Sequence, residues 1–145
     1  MDQPHLKAAV EAVEPAAPGS CPGPCVLLVE DDSALRGTLA VCLRIAGFHV
    51  ATAPDEDSAL RQFEQNRPSA VISDLVLPDG DGMNIVRRMR AAAPEAPIVV
   101  ISGGGMFPAS HLLGVAKSLG ANAALSKPFK PAALVDVLRD LVQAA

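Results

Sequence analysis

Four short apolar runs in this chain each end in a side chain able to do chemistry. Val26–Val29 is followed by Glu30, Asp31 and Asp32. The run from Ala70 ends in Asp74, the run from Ile98 in Ser102, and the run from Ala123 in Lys127. Three carboxylates brought together have two explanations. They hold a hard divalent cation, which takes oxygen ligands, or repulsion between like charges raises the pKa of one of them. A lysine at the same place adds a fixed positive charge able to pair with an anion, and a serine adds a hydroxyl donor. Carboxylates, cation, ammonium and hydroxyl together are the parts of a phosphoryl site, with Asp74 as nucleophile. Taken singly, each residue has an ordinary reading. Asp32 or Ser33 is a helix N-cap, Asp74 a turn residue, Ser102 the start of a Gly103-Gly104-Gly105 loop, and Lys127-Pro128 almost uninformative. Jointly, at regular spacing, they are not coincidence.

The elements that must position them alternate. Apolar runs start near Val26, His49, Ala70, Ile98 and Ala123, about 21 to 28 residues apart, which fits one strand, one helix and two short loops per unit. The runs at Val26 and Ile98 are apolar without alternation, as for parallel strands covered on both faces. Between them, Ser33–Ala46 carries Leu35, Leu39, Cys42, Leu43 and Ala46 on one helical stripe, and Gly47 closes it. Asp55 caps a helix over Ser58–Arg67 that Pro68 stops. Met83–Ala93 is stopped by Pro94, and Ala109–Leu119 by Gly120. Pro131 opens a last helix with Leu134, Val135, Leu138, Leu141 and Val142 facing inward. The expectation is an α/β three-layer fold. It is a doubly wound, five-stranded parallel sheet of order 2-1-3-4-5, in the flavodoxin-like manner. Strands one and three are then neighbours ~4.8 Å apart, so Asp31 and Asp74 converge at the carboxyl edge where such sheets bind ligands.

Composition narrows the function classes. Of the 145 residues only 3% are aromatic, and the formal net charge is −4. This argues against base stacking and against a nucleic-acid binder with a basic face. No apolar stretch approaches the ~20 residues that span a bilayer, and the start is not a secretory signal. The protein is expected to be cytoplasmic, with no membrane insertion. Pro4, Pro15, Pro18, Pro22 and Pro24 set residues 1–24 apart as a flexible leader, leaving 25–145 as the domain. Within the leader, His5–Glu14 places Leu6, Val10 and Val13 on one face of a short helix. Cys21 and Cys25 read as incidental thiols in that flexible segment. No second Cys/His cluster completes a zinc site around them. Cys42 reads as core.

From Val26 to Val142 the chain resembles the receiver domains of two-component response regulators, single-domain chemotaxis receivers in particular. Four motifs in order carry the resemblance. They are Val29-Glu30-Asp31-Asp32, then Asp74 to Pro78 with Asp81-Gly82, then Ser102-Gly103, then Lys127-Pro128-Phe129. The resemblance implies that Asp74 accepts a phosphoryl group from a histidine kinase or a histidine phosphotransfer protein. It implies that Glu30, Asp31, Asp74 and the backbone carbonyl of Val76 hold Mg²⁺ (or Mn²⁺), with Glu30 acting directly or through water. Lys127 pairs with the phosphoryl oxygens, Ser102 donates a hydrogen bond to them, and the Lys127–Pro128 peptide is often cis. Phosphorylation then shifts the population of a face formed by the fourth helix, fifth strand and fifth helix, which a downstream protein reads.

Three departures qualify this. The usual aromatic three residues before the strand-five lysine is Ala124 here, so coupling runs through the backbone or through residues such as Met106 or Phe107. The fourth-strand hydroxyl is Ser102 rather than threonine. Val76 and Gly104 stand where relatives carry polar groups that place hydrolytic water, so self-dephosphorylation is expected to be slow. The chain ends directly after the fifth helix, so the expectation is a stand-alone receiver that switches protein binding or relays phosphate. It is not a turnover enzyme beyond its own phosphorylation and dephosphorylation. The alternatives are a receiver-like interaction module that works without phosphorylation, and a metal-dependent phosphatase. The phosphatase lacks an acid two residues after Asp74 to protonate a leaving group.

Overall fold

The computed structural model describes residues 25–77, 80–103 and 109–144. The leader, Cys21, Gly104, Met106 and Phe107 lie outside the described residues. Five strands, β1 (Cys25–Val29), β2 (His49–Ala53), β3 (Ala70–Asp74), β4 (Ile98–Ser102) and β5 (Ala123–Ser126), form one parallel sheet of order β2-β1-β3-β4-β5. The helices are α1 (Ser33–Ile45), α2 (Glu56–Asn66), α3 (Gly82–Ala92), α4 (Ala109–Leu119) and α5 (Pro131–Ala144). The fold is the expected doubly wound three-layer one.

Continuous apolar strands produce two cores. Successive side chains of a strand point to opposite faces. Val26 and Leu28 therefore join Leu39, Leu43, Leu134 and Leu138 under α1 and α5. Leu27 and Val29 join Ala59, Ile85, Met89, Leu112 and Ala116 under α2, α3 and α4. Each fully buried leucine contributes roughly 1.5–3 kcal/mol by leaving water. Cys25 is the first residue of β1 and is buried, so it belongs to the sheet and not to a flexible segment. Cys42, read as core from its helical stripe, is only half-buried in α1 and joins neither core.

Local chemistry sets the helix ends. Asp32 caps α1, its Oδ1 accepting from the backbone N–H groups of Ala34 (3.0 Å) and Leu35 (3.1 Å). Gly47 follows the helix at φ +105°, a left-handed conformation that costs glycine little. Asp55 caps α2 as expected, accepting from Ser58 N–H at 2.8 Å. The helix nonetheless starts at Glu56, two residues before the expected start, and ends at Asn66. Arg67 leaves it at φ 45°. The proline ring of Pro68 disfavours right-handed helical backbone in the residue before it, and Arg67 escapes into the left-handed region.

One small feature was not expected. Val76–Leu77 and Gly80–Asp81 pair as a two-residue antiparallel ladder between β3 and α3. Among the described residues no helix is long and apolar enough to cross a membrane.

Candidate functional site

Register builds the site. Val29 of β1 pairs with Ser73 of β3, so Glu30, the first residue past β1, and Asp74, the last residue of β3, stand side by side at the carboxyl edge. Asp74 pairs with Ile101 of β4, and Ser102 with Ser126 of β5. The Lys127 N–H donates to Ser102 C=O at 2.7 Å, tying the fifth strand's exit to the fourth. Lys127 then turns back over the edge. Its Nζ donates to Asp74 Oδ2 at 2.8 Å and lies 3.1 Å from Glu30 Oε1. The sequence-derived residues Glu30, Asp31, Asp74, Ser102 and Lys127 thus share one edge. Among the described residues, carboxylate oxygens of Glu30, Asp31 and Asp74 lie within 4.8 Å of one another.

The charges sit unevenly. Glu30 is fully buried, Asp74 is 3% exposed, and Asp31 is exposed. Burial pushes the Glu30 carboxyl up to about 7, and the Asp74 charge adds to the rise. The Asp32 N–H, 3.1 Å from Glu30 Oε2, and the Lys127 ammonium oppose it. Burial alone would lower Lys127. Its hydrogen bond to Asp74 and its contact with Glu30 outweigh that and hold its pKa above the usual lysine value.

Chemically this arrangement suits a hard divalent cation. The donors are three carboxylates, two of them buried, converging from two adjacent strand ends. The Glu30 Oε1–Lys127 contact is an ion pair off hydrogen-bond geometry, so this buried oxygen has no hydrogen-bond partner. That is the kind of atom a cation completes. Val76, whose carbonyl the resemblance adds to the ligand set, lies in the short ladder opposite Asp81.

Several supporting residues escaped the sequence reading. Arg36 of α1 donates from Nη1 to Glu30 C=O (2.9 Å) and Asp31 C=O (3.3 Å), pinning the acidic loop. Only the fold shows that this arginine bends back. Gly82, the first residue of α3, packs against the backbone carbonyl of Asp74. A Cβ there would meet that oxygen, and would lie 2.6 Å from Leu75 Cα and 2.8 Å from Leu75 C. Gly103 abuts Lys127, its ideal Cβ falling 2.9 Å from Lys127 Cβ. Gly82 stood in the quoted Asp81-Gly82 motif, but spacing alone did not reveal what it faces. Ala124 pairs with Val100 and packs against the core beneath α4. The Lys127–Pro128 peptide is cis.

Known proteins share this fold. Residues 26–139 match the profile of the response regulator receiver domain. The chain is 38% identical over 120 residues to the transcriptional regulatory protein PrrA of Mycobacterium tuberculosis, covering 83% of this chain and 50% of that protein. It is 36% identical over 114 residues to the C4-dicarboxylate transport transcriptional regulatory protein DctD of Pseudomonas aeruginosa, covering 79% and 24%. The chain thus spans about half the length, or less, of these curated relatives. Among solved structures, a response regulator receiver domain protein from Clostridium thermocellum superposes with a TM-score of 0.76 at 25% identity, covering 84% of this chain and 96% of that one. The Vibrio cholerae chemotaxis protein CheY4 superposes at 0.72 with 29% identity, covering 81% and 97%. With the profile spanning most of the chain and the same fold in these structures, the chain belongs to the response regulator receiver domain family.

Proposed function

We propose that this receiver takes a phosphoryl group from phosphohistidine onto Asp74 and thereby switches protein binding or passes the phosphate on. The observation that carries the reading is the buried Asp74 carboxylate, held at 2.8 Å by Lys127 beside two further carboxylates. In the transfer, an Asp74 oxygen forms a bond to phosphorus as the phosphorus–nitrogen bond to imidazole breaks. The imidazole leaves with the electron pair and takes a proton from solvent. Lys127 moves from the Asp74 oxygen to the phosphoryl oxygens, and Ser102, at the adjacent strand end, donates to them. Glu30, Asp31, Asp74 and the Val76 carbonyl would hold Mg²⁺, which when bound offsets charge on the phosphoryl oxygens. The donor is a histidine kinase or phosphotransfer protein in the cytoplasm, and the target is a protein. Catalysis is limited to the receiver's own phosphorylation and slow dephosphorylation.

The test is intact-mass analysis after incubation with Mg²⁺ and a small phosphodonor. An adduct that Asp74→Ala abolishes supports the reading. No adduct and no Mg²⁺ binding would instead indicate a phosphorylation-independent interaction module, and sustained turnover of phosphate esters would indicate a phosphatase. Slow self-dephosphorylation has its own check. Val76→Asn with Gly104→Glu is expected to shorten the phosphate lifetime in Mg²⁺ buffer, and an unchanged lifetime refutes the assignment of those two positions.

A further inference from the structure

A cleft of about 590 Å³ opens between α2 and α3, far from the strand ends that carry the chemistry. Leu60, Phe63, Met89 and Pro68 are among the residues that give it apolar walls, with Ala92 and Ala93 at its α3 end. Its charged residues are two arginines, Arg67 and Arg88, and one glutamate, Glu64. Its size falls in the ~300–1,000 Å³ range of binding clefts. Nothing in the site described above uses it.

The first described residue of the chain is tied to the residue that follows one wall of this cleft. Cys25, the first described residue, receives the Ser69 N–H on its carbonyl at 2.7 Å, and its own N–H lies 3.5 Å from Ser69 Oγ. Ser69 directly follows Arg67 and Pro68, which line the cleft. The polypeptide preceding Cys25 therefore starts within two residues of the cleft wall. Ten residues, 15–24, separate that point from the segment His5–Glu14. At ~3.1 Å per residue in an extended, proline-rich linker they reach roughly 30 Å, about the width of a domain this size.

The segment's chemistry matches the cleft. On a helix, Leu6, Val10 and Val13 share one face, with Lys7, Glu11 and Glu14 along its flank. Two acids and one base on the segment complement the two arginines and one glutamate of the cleft. The linker raises the effective concentration into the millimolar range, so even weak intrinsic affinity suffices for occupancy. We propose that residues 5–14 dock as an amphipathic helix, in cis, in the cleft between α2 and α3.

NMR on the full chain tests this. The expected result is a set of nuclear Overhauser contacts joining the Leu6, Val10 and Val13 methyls to the Phe63 ring and the Met89 methyl, unchanged on dilution. Val10→Asp, in the leader, is expected to abolish them and to shift the amides of Leu60, Phe63, Ala92 and Ala93 while leaving β1 and β3 unmoved. Ala92→Glu, at an exposed position on the cleft, is expected to release the leader in the same way. Absence of those contacts, or cleft amides indifferent to Val10→Asp, overturns the proposal. So do contacts that vanish on dilution, which would mean that a second copy supplies the segment.

Discussion

Gly82→Ala isolates one close approach in the site with a single methyl group. The added Cβ would collide with the Asp74 carbonyl oxygen and sit 2.6 and 2.8 Å from Leu75 Cα and C. All three are backbone atoms, so no rotamer change relieves the clash. Either the Asp74–Leu75 peptide or the start of α3 must shift. Leu75 is 2% exposed, and its N–H donates to Ile101 C=O at 2.9 Å, so the peptide is held from the far side. Overpacking of this kind costs about 1–3 kcal/mol. For a domain of this length that lowers the unfolding midpoint by about 5–15 °C. The control is Gly37→Ala in α1, where the new Cβ meets nothing within 4 Å. Glycine inside a helix costs roughly 0.5–1 kcal/mol relative to alanine, so Gly37→Ala is expected to raise the midpoint. Circular dichroism melts of both variants in metal-free buffer, with Mg²⁺ titrations alongside, decide the matter. If Gly82→Ala melts at or above the parent temperature and binds Mg²⁺ equally well, the close contact at Asp74 does not exist as described.

Other predictions follow from the same edge. Lys127→Met leaves Glu30 and Asp74 without their ammonium partner, and its side chain is 28% exposed. The expected loss in metal-free buffer is about 2 kcal/mol, below the 3–5 of a fully buried broken pair. Mg²⁺ should narrow the gap in denaturant titrations, and unaltered metal-free stability would count against the ion pair. The Glu30 carboxyl has a folded pKa raised to about 7. Its contribution to stability is fully present below the unfolded value of 4.5 and is lost as pH rises through about 7. Since a metal ligand must be ionised, Mg²⁺ affinity should drop about tenfold between about pH 8 and about pH 6. Glu30→Gln should flatten that dependence, and a retained slope would assign it to another group. Asp32→Ala removes the acceptor for the Ala34 and Leu35 N–H groups and should cost about 1 kcal/mol in chemical denaturation. An equal loss for Asp32→Asn would assign that cost to something other than the cap.

The strands and the identity of the chemical residues were legible in the amino-acid order because local rules produce them, and the sheet order followed from the common doubly wound pattern. Apolar runs without alternation force parallel strands covered on both sides. Gly47, Pro68, Gly120 and Pro131 punctuate helices by backbone sterics alone. A polar residue directly after such a run has only the strand end to occupy. The helix start at Glu56, the left-handed Arg67 and the Val76–Leu77 ladder with Gly80–Asp81 were less legible, since boundary residues answer to neighbours as much as to propensity. Three features needed the tertiary structure. The pairing of Lys127 with Asp74 and Glu30 joins residues 53 and 97 positions apart, and no local spacing encodes such a distance. The rise of the Glu30 carboxyl follows from complete burial, which depends on what packs over the edge. The roles of Arg36 and Gly82 arise because the fold returns α1 and α3 to the backbone of the acidic residues, making one side chain a clamp and one missing side chain a requirement.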